Sequence, residues 1–256
     1  MTYEGVILIL TCQKYINTRC INNKFKSPII NNWLFITTIG DLSLDSEYIF
    51  DNHNNILYIK CEDSYLHLLK KRILAIKYIY HLFELKQGIL CCGDDVIFNE
   101  ECLVKYLNRE KNNYEGQSGC DYGYIANDKN KLKNCTFDLW MYNYYCLHPE
   151  DFLNPMHNLQ NINLDYLKSI CKRPILHYAQ GTIFYLSNYS CKILVSHMEK
   201  IKFNIFEYDE FTNSYPYTIE DCSIAFILYY NNINFTDFKY FYTNTDDTNY
   251  VCKSIS

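Results

Sequence analysis

Three short segments carry side chains whose type and placement suit chemistry. Gly93-Asp94-Asp95 directly follows the apolar run Gly88–Cys92 and precedes Val96-Ile97-Phe98-Asn99. Two carboxylates at the C-terminal edge of a strand point into the crevice where open α/β sheets bind ligands. Hard oxygen donors of this kind hold Mn²⁺ or Mg²⁺, which keep coordination positions for water and substrate phosphates. The same pair also fits an ordinary acidic turn, and alone it does not separate the two. Glu220-Asp221 opens a helical pattern, where carboxylates serve either as general bases or as helix-start residues favoured by the dipole. In Gln180-Gly181-Thr182 the glycine leads into a strand and either lets backbone approach a ligand or shapes a turn. None of the 7 histidines has metal-ligand spacing, and His67 and His81 fall within one helical stretch, so each reads as structural or solvated.

The elements that must position these residues are legible from periodicity. Short apolar runs at Val6–Thr11, Trp33–Thr37, Ile56–Lys60 and Gly88–Cys92 predict strands of an α/β domain covered on both faces. Between the last two, Leu69, Ile73, Ile76, Tyr80 and Phe83 recur at helical spacing while Lys70, Lys71 and Lys77 occupy other positions, which predicts one amphipathic crossover helix. From Asn112 to Arg173 the pattern turns irregular, with the polar stretch Asn127–Asn134 and the aromatic cluster Trp140–Tyr145, and substrate loops are expected there. Regularity returns with a strand at Thr182–Leu186, a Ser187-capped helix to about Ile201, and a helix from Glu220 whose buried face carries Ile224, Ile227 and Leu228.

Bulk properties narrow the class. A chain of 256 residues suits one large domain that buries a core without staples, and 48% hydrophobic residues mark it as globular. Abundant Asn, Ile, Lys and Tyr with only 8 Gly and 5 Pro suggests an AT-rich genome, such as that of a large DNA virus or a protist. A net charge of −5 with no basic block argues against nucleic acid as a partner. The run Val6–Leu10 is too short to span a membrane. The 13 cysteines are odd in number, scattered and without a C-x-x-C, so reduced thiols are expected, and with them a cytoplasmic location, in the host cytoplasm if the source is a virus. Sequons at Asn134, Asn188 and Asn234 argue only weakly for secretion in an Asn-rich chain.

It is the order of the signals that resembles a known family, the β-1,3-galactosyltransferase and Fringe family of inverting glycosyltransferases. Asp63-Ser64-Tyr65 with Leu68 and Lys71 is similar to its D-S-Y-x-N-L-x-x-K stretch, and Asp94-Asp95-Val96 with Asn99 to the end of D-D-D-V-F-V-N. Tyr178 through Gly181 to Leu186-Ser187 resembles Y-C-S-G-G-G-Y-V-L-S, and Glu220-Asp221-Cys222 resembles E-D-V or D-D-C. Arg19 after the first strand loosely resembles R-x-x-I-R-x-T-W, and the matches extend from about Val6 to about Asn234.

The resemblance implies a GT-A-like Rossmann-type αβα sandwich with a mixed central sheet, a single domain. Its first half, about residues 1–110, would bind the nucleotide sugar and its second, about 111–256, the acceptor. It implies an inverting, metal-dependent hexosyltransferase using Mn²⁺ or Mg²⁺, a UDP-sugar donor and a glycan or protein-glycan acceptor. Asp95 is then assigned to the metal, Asp94 to the metal or the ribose, and Thr11, Arg19, Lys71 and Gly181 to the donor. Asp221, with Glu220 close behind, is assigned as general base.

The chain also departs from the family. Gly93 stands where the first aspartate is usual, and Thr182 and Ile183 replace two glycines. The family's late histidine ligand has no counterpart after His197, so Asp237, Asp246, Asp247 or water would substitute. Two rival readings follow. One is a degenerate carbohydrate-binding or assembly protein of the same fold. The other takes Gly-Asp-Asp as an RNA polymerase motif, for which a short acidic chain lacks the room and the basic channel.

Overall fold

The computed structural model describes residues 1–19, 29–118, 139–165, 177–206 and 217–255. The expected stretch Asn127–Asn134 lies outside them. Strands β1 (Thr2–Leu10), β2 (Ile29–Ile30), β3 (Trp33–Gly40), β4 (Tyr48–Asp51) and β5 (Ile56–Ile59) precede a 3-10 turn at Tyr65–His67 and helix α1 (Leu68–Leu82). Then come β6 (Glu84–Gly93), β7 (Val96–Phe98), α2 (Glu100–Asn108) and β8 (Tyr114–Ser118). After them follow α3 (Leu139–Leu147), α4 (Pro149–Leu153), β9 (Ala179–Ser187), α5 (Asn188–Lys200) and α6 (Glu220–Tyr230). The short strands β10 (Thr236–Asp237), β11 (Tyr242–Thr243) and β12 (Cys252–Ser254) close the chain.

Nine strands form one mixed sheet in the order β10-β8-β9-β6-β1-β3-β5-β4, with β2 beside β3. Strand β1 is central and parallel to both neighbours, pairing Leu10 with Thr38 on one side and with Gly93 on the other. From β1 the chain steps outward through β3 and β5, then α1 carries it back to β6 on the opposite flank. The strand order therefore reverses between β1 and β6, and a crevice opens at their C-terminal ends. Strands β9 and β8 extend the sheet antiparallel beyond β6.

Alternation along the strands divides the core into two layers. Val6, Leu8, Ile36, Ile89 and Cys91 pack with α1, α5 and α6, while Ile7, Ile9, Phe35, Leu90 and Cys92 pack with α2 and the C-terminal segment around Phe241 and Val251. This is the mixed-sheet α/β sandwich the sequence leads one to expect. Its second face is covered by α2 and a three-stranded sheet, β11-β12-β7, rather than by helices alone.

Several local expectations need correction. Lys71 is not on an outer face of α1 but 1% exposed, as is Arg72 beside it. Helix α6 buries Cys222 through Leu228 continuously, not one stripe, because it lies between the sheet and the other helices. Its N-cap is Ile219, so Glu220 and Asp221 occupy the first turn rather than the cap. The region expected as loops contains β8, α3 and α4. Among the described residues no helix is long and apolar enough to cross a membrane. Nine cysteines among them, including Cys61, Cys91, Cys92 and Cys252, are free thiols.

Candidate active site at the sheet's switch point

Where β1 and β6 end side by side, the register that pairs Leu10 with Gly93 brings Thr11 level with Asp94. The Thr11 hydroxyl donates to Asp94 Oδ2 at 2.5 Å, and both residues are buried. Arg19 reaches the other carboxylate oxygen, Nη1 to Oδ1 at 3.5 Å, while its guanidinium lies 3.8 Å from the centre of the Tyr15 ring. The Arg19 side chain remains 41% exposed, so a cation is presented at the crevice while Asp94 is held on both oxygens. Thr11, Arg19 and Asp94 are thus brought together.

Lys71 does not join them. Its ammonium donates to the Thr11 carbonyl at 2.7 Å and to Asp63 Oδ1 at 2.6 Å, with both side chains of the ion pair nearly solvent-free. Asp63 also accepts from the backbone N–H of Gln13 at 2.9 Å and of Gly40 at 3.2 Å. This buried pair ties the ends of β1 and β3 to the start of α1, so Lys71 sits beneath the crevice floor rather than in the crevice. Ser64, the neighbour of Asp63, caps the 3-10 turn, accepting from the His67 N–H at 3.3 Å and bonding His67 Nδ1 at 2.6 Å. The Asp63-Ser64-Tyr65 segment therefore has a physical explanation in strand-end locking and capping. Asn99 likewise caps α2, accepting from the Cys102 N–H at 3.1 Å.

Asp95 is placed differently from Asp94. Its backbone carbonyl accepts from Ile255, and among the described residues no hydrogen bond or ion pair engages its half-buried carboxylate. A Cβ added at Gly93 would come within 2.6 Å of Asp95 Oδ1, so the glycine leaves room for this carboxylate to fold back over the strand end. Among the described residues no group of three His, Cys, Asp or Glu side chains could cage a metal. Nor do the late acids supply one: Asp237 accepts from Ser118, Asp246 pairs with Lys253, and Asp247 accepts from Asn249. One or two carboxylates, completed by phosphate oxygens and water, are nonetheless an ordinary donor set for Mg²⁺ or Mn²⁺. The residues fit a substrate-borne ion rather than an all-protein site.

The opposite wall comes from β9 and α6. Cys92 pairs with Ile183, and Asp94 and Gly181 each lie two residues beyond that last pair. A Cβ on Gly181 would stand 3.9 Å from Asp221 Oδ2, so this carboxylate overlooks the glycine. Asp221 Oδ1 accepts from the Cys222 N–H at 2.8 Å, which orients the side chain from the first turn. Glu220 is directed elsewhere: its Oε1 accepts from Nε of Arg72, whose guanidinium lies 5.0 Å from the Phe184 ring centre. Burial alone would favour neutral Arg72, but the Glu220 carboxylate, with smaller contributions from Cys91 and Cys92, outweighs it and holds the guanidinium above its ordinary value. A small cavity of about 100 Å³ opens between Asp221, Glu220, Gly181, Thr218 and Tyr65.

Five expected residues, Thr11, Arg19, Asp94, Asp95 and Gly181, line one edge of the sheet, and Asp221 faces Gly181. Lys71 and Glu220 are instead engaged in buried ion pairs. Sequence reasoning misses Arg72 and meets Tyr65 only as part of a motif. Nothing in the sequence marks Arg72 as Glu220's partner, since 148 residues separate them.

The sequence model of one family, described as Galactosyltransferase, matches residues 47–212, more than half of the chain. No curated protein matches the chain.

Proposed function

The chain belongs to the Galactosyltransferase family and is a glycosyltransferase, and on that premise we propose that it transfers a sugar from UDP to an acceptor hydroxyl with inversion, using Mn²⁺ or Mg²⁺. The observation that carries the proposal is the position of Gly181. It lies on β9 two residues beyond the pair Cys92–Ile183 that ends the ladder to β6, and a Cβ added to it would stand 3.9 Å from Asp221 Oδ2. A small residue there leaves space for a sugar between the two carboxylate edges.

In this reading Thr11, Arg19 and Asp94 receive the nucleotide, with Arg19 answering phosphate charge. Asp95, alone or with Asp94, would hold the ion, which when bound neutralises charge on the diphosphate. Asp221 acts as general base. The acceptor oxygen forms a bond to the anomeric carbon as the bond from that carbon to the diphosphate oxygen breaks. The acceptor proton passes to the Asp221 carboxylate, and the electron pair leaves with UDP. Backside displacement inverts the anomeric centre. Glu220 and Lys71 act by positioning, the first holding the start of α6 and the second the ends of β1 and β3.

The partners are then a nucleotide sugar and a glycan or protein-glycan, with no nucleic acid. The donor lies chiefly on residues up to about 110 and the acceptor on residues beyond. We place the protein in a reducing, cytoplasmic setting, supported by the nine cysteines that form no disulfide among the described residues. We liken it to the Fringe-type members with a GT-A fold, and a viral source would suit its Asn-, Ile-, Lys- and Tyr-rich composition. Screening nucleotide sugars for Mn²⁺-dependent nucleotide release tests the proposal. Release from at least one donor, lost with chelator and in Asp95→Ala, is expected. Release from none in the parent protein would leave the degenerate carbohydrate-binding reading in its place.

A further inference from the structure

The cavity beside Asp221 has features the transfer chemistry does not require. Tyr65, on its rim, is 40% exposed although it belongs to a turn whose other residues, Leu66 and His67, are buried. Its ring stacks with Tyr144, centroids 6.1 Å apart and planes 30° from parallel. Tyr144 is in turn anchored, its hydroxyl donating to Asp151, which also pairs with Lys14 at 3.5 Å. The aromatic pair is therefore braced rather than loose.

Within the cavity Thr218 is 4% exposed, and its hydroxyl oxygen has no hydrogen-bond partner among the described residues. Leaving a buried hydroxyl unsatisfied is costly, so such groups normally meet a partner. The cavity of about 100 Å³ that Thr218 borders leaves room for the edge of a sugar ring to approach.

We propose that Tyr65 and Thr218 form the subsite for the acceptor's terminal pyranose, which makes Tyr65 a specificity-determining residue; this rests on the reading of Asp221 as the base. A pyranose has an apolar C–H face and a polar rim. The Tyr65 ring offers a flat apolar surface for the first, and Thr218 with Asp221 offers hydrogen bonds to the second. An acceptor so seated places a hydroxyl beside the carboxylate that removes its proton. Sugars whose axial hydroxyls interrupt the C–H face fit the ring less well than those with a continuous one.

The test uses the whole protein without donor. Saturation-transfer NMR with a panel of methyl pyranosides is run on the parent, Tyr65→Ala, Tyr65→Phe and Thr218→Val. The parent should bind at least one pyranoside. Tyr65→Ala should weaken that binding at least tenfold, Tyr65→Phe should retain it within about threefold, and the near-isosteric Thr218→Val should weaken it several-fold. Three results overturn the inference: no pyranoside bound by the parent, equal binding in Tyr65→Ala, or equal loss in Tyr65→Phe and Tyr65→Ala. Because no donor is present, Tyr65-dependent binding by a protein that releases no nucleotide would sink the proposed transfer while the subsite stands.

Discussion

Arg72 donates from Nε to the carboxylate of Glu220, and the two side chains are only 2% and 9% exposed. The pair joins the N-terminal part of the fold's crossover helix to the first turn of the helix that carries Asp221. A buried ion pair is a poor source of net stability, but breaking one leaves an uncompensated charge. Arg72→Ala should therefore destabilise the protein by about 3–5 kcal/mol in urea unfolding, whereas Arg72→Met with Glu220→Leu should recover most of that. Equal losses in the single and double variants would show that packing, not charge, is what the pair supplies.

A parallel expectation applies beneath the crevice floor. Lys71→Met leaves Asp63 buried at 5% side-chain exposure without its cation. A loss of about 3–5 kcal/mol is expected, and Asp63→Asn in the same chain should restore part of it. Unfolding curves that match the parent's would mean the 2.6 Å contact has no energetic weight.

Most of the scaffold was legible in the sequence, and most of the side-chain roles were not. The buried runs beginning at Val6, Trp33 and Gly88 are strands covered on both faces, and such strands announce themselves by continuous hydrophobicity, while the run at Ile56 is a strand buried only at alternate residues. Ser187 likewise caps the helix it was expected to cap. Strand β8, with the sequence YEGQS, gives no such signal, since its buried Glu115 is satisfied by Arg109, Tyr106 and Asn112 rather than by apolar neighbours. The roles of Lys71 and Glu220 were hidden for a related reason. A charge buried against a partner 8 or 148 residues away reads locally as a solvated one.

His67 should make stability depend on pH. Burial holds its pKa below the ordinary imidazole value of 6.5, against the pull of Glu62 at 3.9 Å and with Lys70, His157 and Lys71 adding to the depression. The native state therefore stays neutral while the unfolded chain takes up a proton below about pH 6.5. Stability is complete above that pH and falls as the pH drops toward the depressed native value. Between pH 7.5 and 5.0 the parent should lose up to roughly 2 kcal/mol more than His67→Gln. Identical pH profiles would place the titration elsewhere.

The thiols should differ widely in reactivity. Burial pushes Cys61 up to about 12 and Cys91 up to about 11, while Cys146 is exposed. Since the thiolate is the nucleophile, iodoacetamide on the native protein should modify Cys146 well before Cys61 and Cys91, which should wait until the chain unfolds. Peptide mass spectrometry that finds Cys91 alkylated as fast as Cys146 would contradict this burial.

The central claim is that Asp221, whose Oδ2 would lie 3.9 Å from a Cβ added at Gly181, is the base. Transfer rate, donor affinity and melting temperature should be measured together for Asp221→Asn and Glu220→Gln, with the best donor and acceptor found by screening. Asparagine keeps the size of the side chain but cannot take a proton, so Asp221→Asn should lower transfer by about 10²–10⁴-fold with donor affinity and melting temperature close to the parent's. Glu220→Gln should chiefly lower the melting temperature, because its carboxylate serves Arg72. Full transfer activity in Asp221→Asn, or transfer lost only in Glu220→Gln, would contradict the claim.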